Sequence, residues 1–200
     1  SLGQEVYLWN PASEDGLTHC YNPLDYISRD PLKRIDDIQR IAYILIPDNP
    51  NVKDPFWGKI ARQLLIALFH YVIGNRKYLK TLGEIICLVL SYFSFDVWIN
   101  DVLENEEIHM SCRNSLNSFL DTPEVTRQSI KETMLSHLSL FDNPYIEGAT
   151  SRSDFDLRDI RKKAMTIYIG VPDGSLERLA SLISVFYEQL IHETTEAVPD

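Results

Sequence analysis

The chain has 200 residues, 44 % of them hydrophobic, with a mean hydropathy of −0.16, enough to bury the core of one large domain or two small ones and too apolar for a disordered tail. Against 19 Lys and Arg stand 29 Asp and Glu, a formal net charge of −10. A chain so acidic repels phosphate backbones at neutral pH unless its basic residues cluster, which disfavours generic nucleic-acid binding.

In chain order, Val6, Tyr7, Leu8 and Trp9 form a short apolar run that Asn10-Pro11 stops, which predicts a strand over Glu5–Trp9. Asn22-Pro23, Asp30-Pro31 and the Gly16 region keep the following loop irregular until Leu32. Ile35, Ile38, Ala42 and Leu45 then recur on one face of a first helix that Pro47 ends. Asp54-Pro55 reads as an N-cap followed by proline at the first helical position. From it, Trp57, Ile60, Ala61, Leu64, Leu68, Tyr71 and Val72 line one face, widened by Phe56, Leu65, Phe69 and Ile73 until Gly74-Asn75 offers a C-cap. So broad an apolar face predicts a central, buried helix.

Thr81 and Glu84 have capping-box spacing ahead of a helix carrying Leu82, Ile85, Ile86, Val89, Leu90 and Phe93. Ile108, Cys112, Leu116 and Phe119 mark another helix, and Asp121-Thr122-Pro123 starts one carrying Val125, Ile130, Met134, Leu138 and Phe141. Asp142-Asn143-Pro144 is expected to close the helical region, with Tyr145 to Phe155 irregular. Met165 to Val171 reads as a second buried strand, Pro172-Asp173-Gly174 as a turn, and Leu176, Leu179, Leu182, Ile183, Phe186, Leu190 and Ile191 as one face of a last helix. The chain is thus expected to be mainly α. Two strands alone rarely make a stable sheet, so the economical architecture is a helical bundle inserted in a partial α/β domain, with stems over residues 1–23 and 148–200 and the helical domain over 24–147.

Cys20, Cys87 and Cys112 are odd in number and widely spaced, which points to a reducing compartment. The longest apolar runs, Leu64 to Phe69 and Ile85 to Leu90, fall short of the roughly 20 residues of a membrane-spanning helix, and Ser1 to Gln4 lacks a leader pattern. No direct membrane contact is expected of this chain.

The eight glycines never approach the phosphate-cradling G-x-x-x-x-G-K-[ST], and no apolar strand ends in the paired acids of a metal site. No catalytic residue, cofactor or metal ligand is therefore expected here. His19 and Cys20 adjoin without a second pair at zinc spacing, and His70, His109, His137 and His192 stand alone in sequence. No nucleophile elbow is visible. The densest acidic cluster is Asp96, Asp101, Glu104, Glu106 and Glu107, with Trp98 among them. Such a run is most simply a solvated face; its functional alternative is a docking surface for a basic partner, which raises encounter rate and specificity more than affinity. Basic residues concentrate in Arg152 to Lys163, where Arg158, Arg161, Lys162 and Lys163 are placed to pair with Asp154, Asp156 and Asp159.

Four stretches carry a family resemblance: H-C-Y-N-P-L-D-Y-I at 19–27, D-P-F-W-G-K-I-A-R-Q-L-L at 54–65, A-T-S-R-S-D-F-D-L-R-D-I-R-K-K-A-M-T-I-Y-I-G-V at 149–171 and R-L-A-S-L-I-S-V-F-Y-E-Q-L-I at 178–191. With them the chain resembles the type IV secretion coupling proteins, the TraG and TraD class of conjugation ATPases. The resemblance implies a parent that is a hexameric, RecA-like ATPase using ATP and Mg²⁺, held on the cytoplasmic face of the bacterial inner membrane. It also implies that this chain is the interval between the parent's phosphate-binding and metal-binding motifs. The all-α domain of such proteins meets secreted effector proteins or their adaptors, or relaxase and single-stranded DNA. On this reading the expected partner-binding residues are Asp96, Trp98, Asp101, Glu104, Glu106 and Glu107.

Overall fold

A computed structural model describes residues 3–48, 55–91, 94–105, 107–172 and 174–195. The described residues are mostly helical, with a small parallel sheet. It divides into two compact units, Ser1–Tyr26 with Leu140–Asp200, and Ile27–Ser139.

In the first unit, strand β1 (Glu5–Trp9) pairs in parallel with β2 (Met165–Ile169), in register from Glu5 opposite Met165 to Trp9 opposite Ile169. β1 forms where the apolar run predicts it. β2 ends two residues before the expected Val171: the Gly170 amide still donates to the Trp9 carbonyl at 2.8 Å, but Pro172 has no N–H with which to continue a ladder. Two strands are marginal by themselves, and an aromatic cluster anchors this pair. Trp9 is fully buried, stacks on Phe186 of helix α8 (Leu176–Thr195) at 4.9 Å, and meets Tyr21 edge-on at 5.2 Å. The Tyr21 hydroxyl is hydrogen-bonded to the Gln189 side-chain oxygen, and Gln189 Nε2 donates to the Pro23 carbonyl at 2.9 Å, so the buried amide is satisfied at both ends. Leu176 and Ile191, expected on the core face of α8, are exposed; Leu179, Leu182, Val185 and Phe186 are the buried set.

Close approach explains Gly170. A Cβ there would stand 2.9 Å from both Cβ and Cγ of Asn10, below any normal contact, and these are atoms near the backbone rather than a flexible tip. Gly170→Ala is therefore expected to lower stability by about 1–3 kcal/mol, the usual cost of overpacking, measured by urea denaturation.

The second unit is helical: α1 (Lys33–Leu45), α2 (Phe56–Gly74), α3 (Leu82–Ser91), α4 (Phe95–Asn105), α5 (Met110–Leu120) and α6 (Glu124–Leu138). α2 is the central helix that its broad apolar face predicts; it packs against α1, α3, α5 and α6. Leu65, Ala67, Leu68, Phe69 and Val72 are fully buried, whereas Phe56 and Trp57 in the first turn are exposed. Arg62 is the charged member of this core. Its guanidinium donates to the Ile46 carbonyl at 2.7 Å and to Asp48 at 2.8 Å, and lies 3.7 Å over the Tyr43 ring, as a buried charge requires.

The expected cap at Asp54 and the apolar Phe93 lie outside the described residues. Thr81 Oγ1 accepts the Glu84 amide at 3.1 Å, the forward half of the capping box. In α6, Ile130, Met134 and Leu138 are buried but Val125 is 81 % exposed, because it sits in the first turn on the solvent side. Asn143-Pro144 opens a short helix, α7 (Pro144–Ala149), where an irregular segment is expected: Asn143 Oδ1 accepts the Tyr145 amide at 3.0 Å and proline occupies the first turn. Among the described residues no single helix is long and apolar enough to cross a membrane.

Candidate functional site

α4 carries most of the acidic cluster, and its 3.6-residue period sorts that cluster into two faces. Phe95, Trp98, Ile99 and Val102 point inward and are buried. Trp98 stacks on Phe95 at 5.3 Å and meets Tyr71 of α2 edge-on at 5.1 Å. It is a core side chain, since its ring fills the space between α4 and α2. Asp96 sits in the first turn, where a carboxylate favours the helix dipole, and is held by Arg127 Nε at 2.8 Å. Arg127 also donates to the carbonyls of Leu120 and Thr122, tying the start of α4 to the turn between α5 and α6. Of the expected partner-binding residues, Asp101, Glu104 and Glu107 are presented to solvent. Glu106 lies outside the described residues.

The basic segment of the first unit is neutralised locally. Arg152 pairs with Asp154 at 3.0 Å, Arg158 with Asp156 at 2.8 Å, and Lys163 with both Asp159 at 3.2 Å and Glu5 at 2.8 Å. The hydrogen bonds that the Lys163 ammonium donates to Glu5 and Asp159 favour its charged form and hold it above the ordinary lysine range. These are surface pairs and contribute little stability each; their consequence is that the strip offers little uncompensated positive charge.

The helical unit also holds a cavity of about 530 Å³ where Arg34 of α1, His70 of α2, Arg76 beyond α2, and His109 at the N-cap of α5 converge. Sequence spacing does not reveal this convergence, because its members come from four separate segments. Among the described residues no group of three or more His, Cys, Asp or Glu is placed to hold a metal ion.

The family model described as type IV secretory system conjugative DNA transfer matches residues 1–200. The chain belongs to that family. VirD4 of Rhizobium radiobacter is 29 % identical over 204 residues, covering 98 % of this chain and 28 % of its own length. The conjugal transfer protein TraG of Escherichia coli is 23 % identical over 197 residues, covering 94 % of this chain and 31 % of its own. Among solved structures, the unbound monoclinic form of the conjugative coupling protein TrwBdeltaN70 superposes with a TM-score of 0.61 at 13 % identity, over 98 % of this chain and 41 % of that one. The plasmid coupling protein TrwB in complex with ADP and Mg²⁺ superposes with a TM-score of 0.60 at 14 % identity, over 97 % and 42 %.

At those identities the structural likeness is one of fold. This member of the conjugative DNA transfer family spans under a third of the length of the VirD4 and TraG relatives it matches. The resemblance to type IV secretion coupling proteins, drawn from the stretches at 19–27, 54–65, 149–171 and 178–191, is borne out by the family match.

Proposed function

We propose that this chain is the substrate-recognition part of a type IV secretion coupling ATPase, residues 24–147 receiving effector proteins or their adaptors at the cytoplasmic entrance of the channel. The stems, 1–23 and 148–200, belong on this reading to a RecA-like domain of a hexameric, inner-membrane parent that supplies ATP and Mg²⁺ chemistry with residues other than these. The observation that carries the reading is the family match over residues 1–200. The sheet adds support: Val6, Leu8 and Tyr168 share one face, since Leu8 and Tyr168 are in register, and are 56 %, 45 % and 60 % exposed. Parallel sheets are normally covered on both faces, so that face fits a larger α/β domain.

The exposed carboxylates Asp101, Glu104 and Glu107 favour a basic protein cargo. Changing all three to Lys in the full-length parent is expected to weaken binding of a basic effector C-terminus about tenfold, the sum of three rim charges at roughly 0.5 kcal/mol each, with most of the change in association rate. Affinity unchanged in a titration would remove the acidic face from recognition. A second reading, contact with relaxase or single-stranded DNA, is favoured by the family's description and by the TraG relatives. It requires oligonucleotide binding that falls steeply with salt.

A further inference from the structure

The cavity in the helical unit is lined by more donors and positive charge than packing explains. Arg34 donates through Nε to the Ser28 carbonyl at 3.2 Å and through Nη2 to the Arg29 carbonyl at 2.9 Å. Those partners are neutral, so they aim the guanidinium without cancelling its charge, and Nη1 is left on the side of Gly74, beside the cavity. Arg76 lines the same space and is exposed, with no carboxylate partner among the described residues.

His70 is 6 % exposed and lines the cavity, yet neither of its ring nitrogens has a hydrogen-bond partner among the described residues. Those nitrogens are not among the buried polar atoms left without a partner, so the polar edge of the ring reaches the water of the cavity, which a ligand atom can replace. Its ring lies parallel to that of His109, with centroids 5.4 Å apart. His109 Nδ1 accepts the Ser111 amide at 3.3 Å, which leaves its Nε2 as the donor. Among the described residues Glu107 is the one carboxylate lining the cavity, and it is exposed at the rim.

We propose that this cavity binds a phosphate group, as a small monoester or as free phosphate, through Arg34, Arg76 and the His70–His109 pair. A phosphate monoester brings three terminal oxygens and nearly two charges, which matches two guanidiniums and two imidazole donors. A carboxylate offers two oxygens and one charge. Arginine's planar fork suits the phosphate oxygens, and about 530 Å³ fits a small ligand rather than a strand. A nucleic-acid backbone is the poorer occupant, being a long polyanion brought against Glu107 and a chain of net charge −10.

Burial, with the charges of His109 and Arg34, holds the His70 pKa down at about 4, so its ring is neutral in the free protein at physiological pH. Among the described residues, the charged and titratable groups that line the cavity with it are Arg34, Tyr71, Arg76, Glu107 and His109. A bound dianion favours the imidazolium, so binding takes up a proton and strengthens as pH falls. Sulfate is the clean probe because it stays doubly charged across that range.

Calorimetric titration of the full chain with sulfate, inorganic phosphate and adenosine monophosphate tests the proposal. Saturable one-to-one binding is expected, weakened about tenfold or more by Arg76→Gln and by Arg34→Lys, each of which removes a charge-assisted contact. Arg76→Gln alters an exposed side chain and should leave the fold intact. Sulfate affinity should rise from about pH 7 to about pH 5, with a smaller slope in His70→Asn. Tighter binding of the nucleotide than of phosphate identifies an ester as the ligand, and equal affinities identify free phosphate. The proposal is overturned if sulfate and phosphate show no saturable binding, or if both arginine variants bind them as the parent chain does. A 5′-phosphorylated oligonucleotide that binds while inorganic phosphate neither binds nor competes would overturn it in favour of a nucleic-acid end.

Discussion

Leu64→Ala is expected to lower the stability of the helical unit by about 2–5 kcal/mol, the range for deleting a large aliphatic side chain from a packed core. Leu64 is 2 % exposed on α2, between the fully buried Ala61 and Leu65 and one turn before Leu68. Because α2 packs against four other helices, the neighbours cannot all close on a void without giving up their own contacts, which places the loss toward the upper part of the range. Chemical denaturation followed through the fluorescence of Trp98, which lies against Tyr71 of the same helix, is the measurement. Val125→Ala is the matched control. At 81 % exposed it should cost less than about 0.5 kcal/mol. Equal losses at the two positions would mean that α2 is peripheral.

The features legible in the sequence are those that depend on neighbours along the chain. Val6 to Trp9 stopped by Asn10-Pro11 locates β1, the broad stripe from Ile60 to Ile73 locates the central helix, and Thr81 with Glu84 marks the start of α3. Local signals fail where one residue has two readings. Asn143-Pro144 serves as a breaker after one element and as a cap with proline in the first turn of the next, and the structure uses it in the second way. In α4 the density of acids obscures the period of Phe95, Trp98, Ile99 and Val102, so a core tryptophan resembles a surface one. The cavity is the extreme case. His70 and His109 are isolated along the sequence, and only the packing of α5 beside α2 stacks their rings.

Phe186→Ala should be as damaging in the first unit, at about 3–5 kcal/mol, because truncating a buried phenyl ring removes transfer free energy and leaves a cavity. Phe186 is 1 % exposed and has four aromatic partners: it stacks on Trp9 at 4.9 Å and meets Tyr21, Tyr187 and Phe155 edge-on at 5.0, 5.6 and 6.5 Å. Each well-placed ring pair adds roughly 0.5–1.5 kcal/mol beyond buried area. A two-stranded sheet has little stability of its own to offset such a loss, and Trp9 and Tyr21 are what join β1 to α8. The near-ultraviolet dichroism of Trp9 reports the outcome directly, since its stacking partner is gone. Tyr187→Ala, one residue along the same helix and 49 % exposed, removes a ring of similar size that meets Phe186 edge-on at 5.6 Å; it should cost no more than about 0.5–1.5 kcal/mol, the worth of one ring pair, and leave the Trp9 stacking in place. If the two variants unfold at the same denaturant concentration, the aromatic cluster does not hold this unit together, and the β1–β2 pairing must draw its stability from elsewhere.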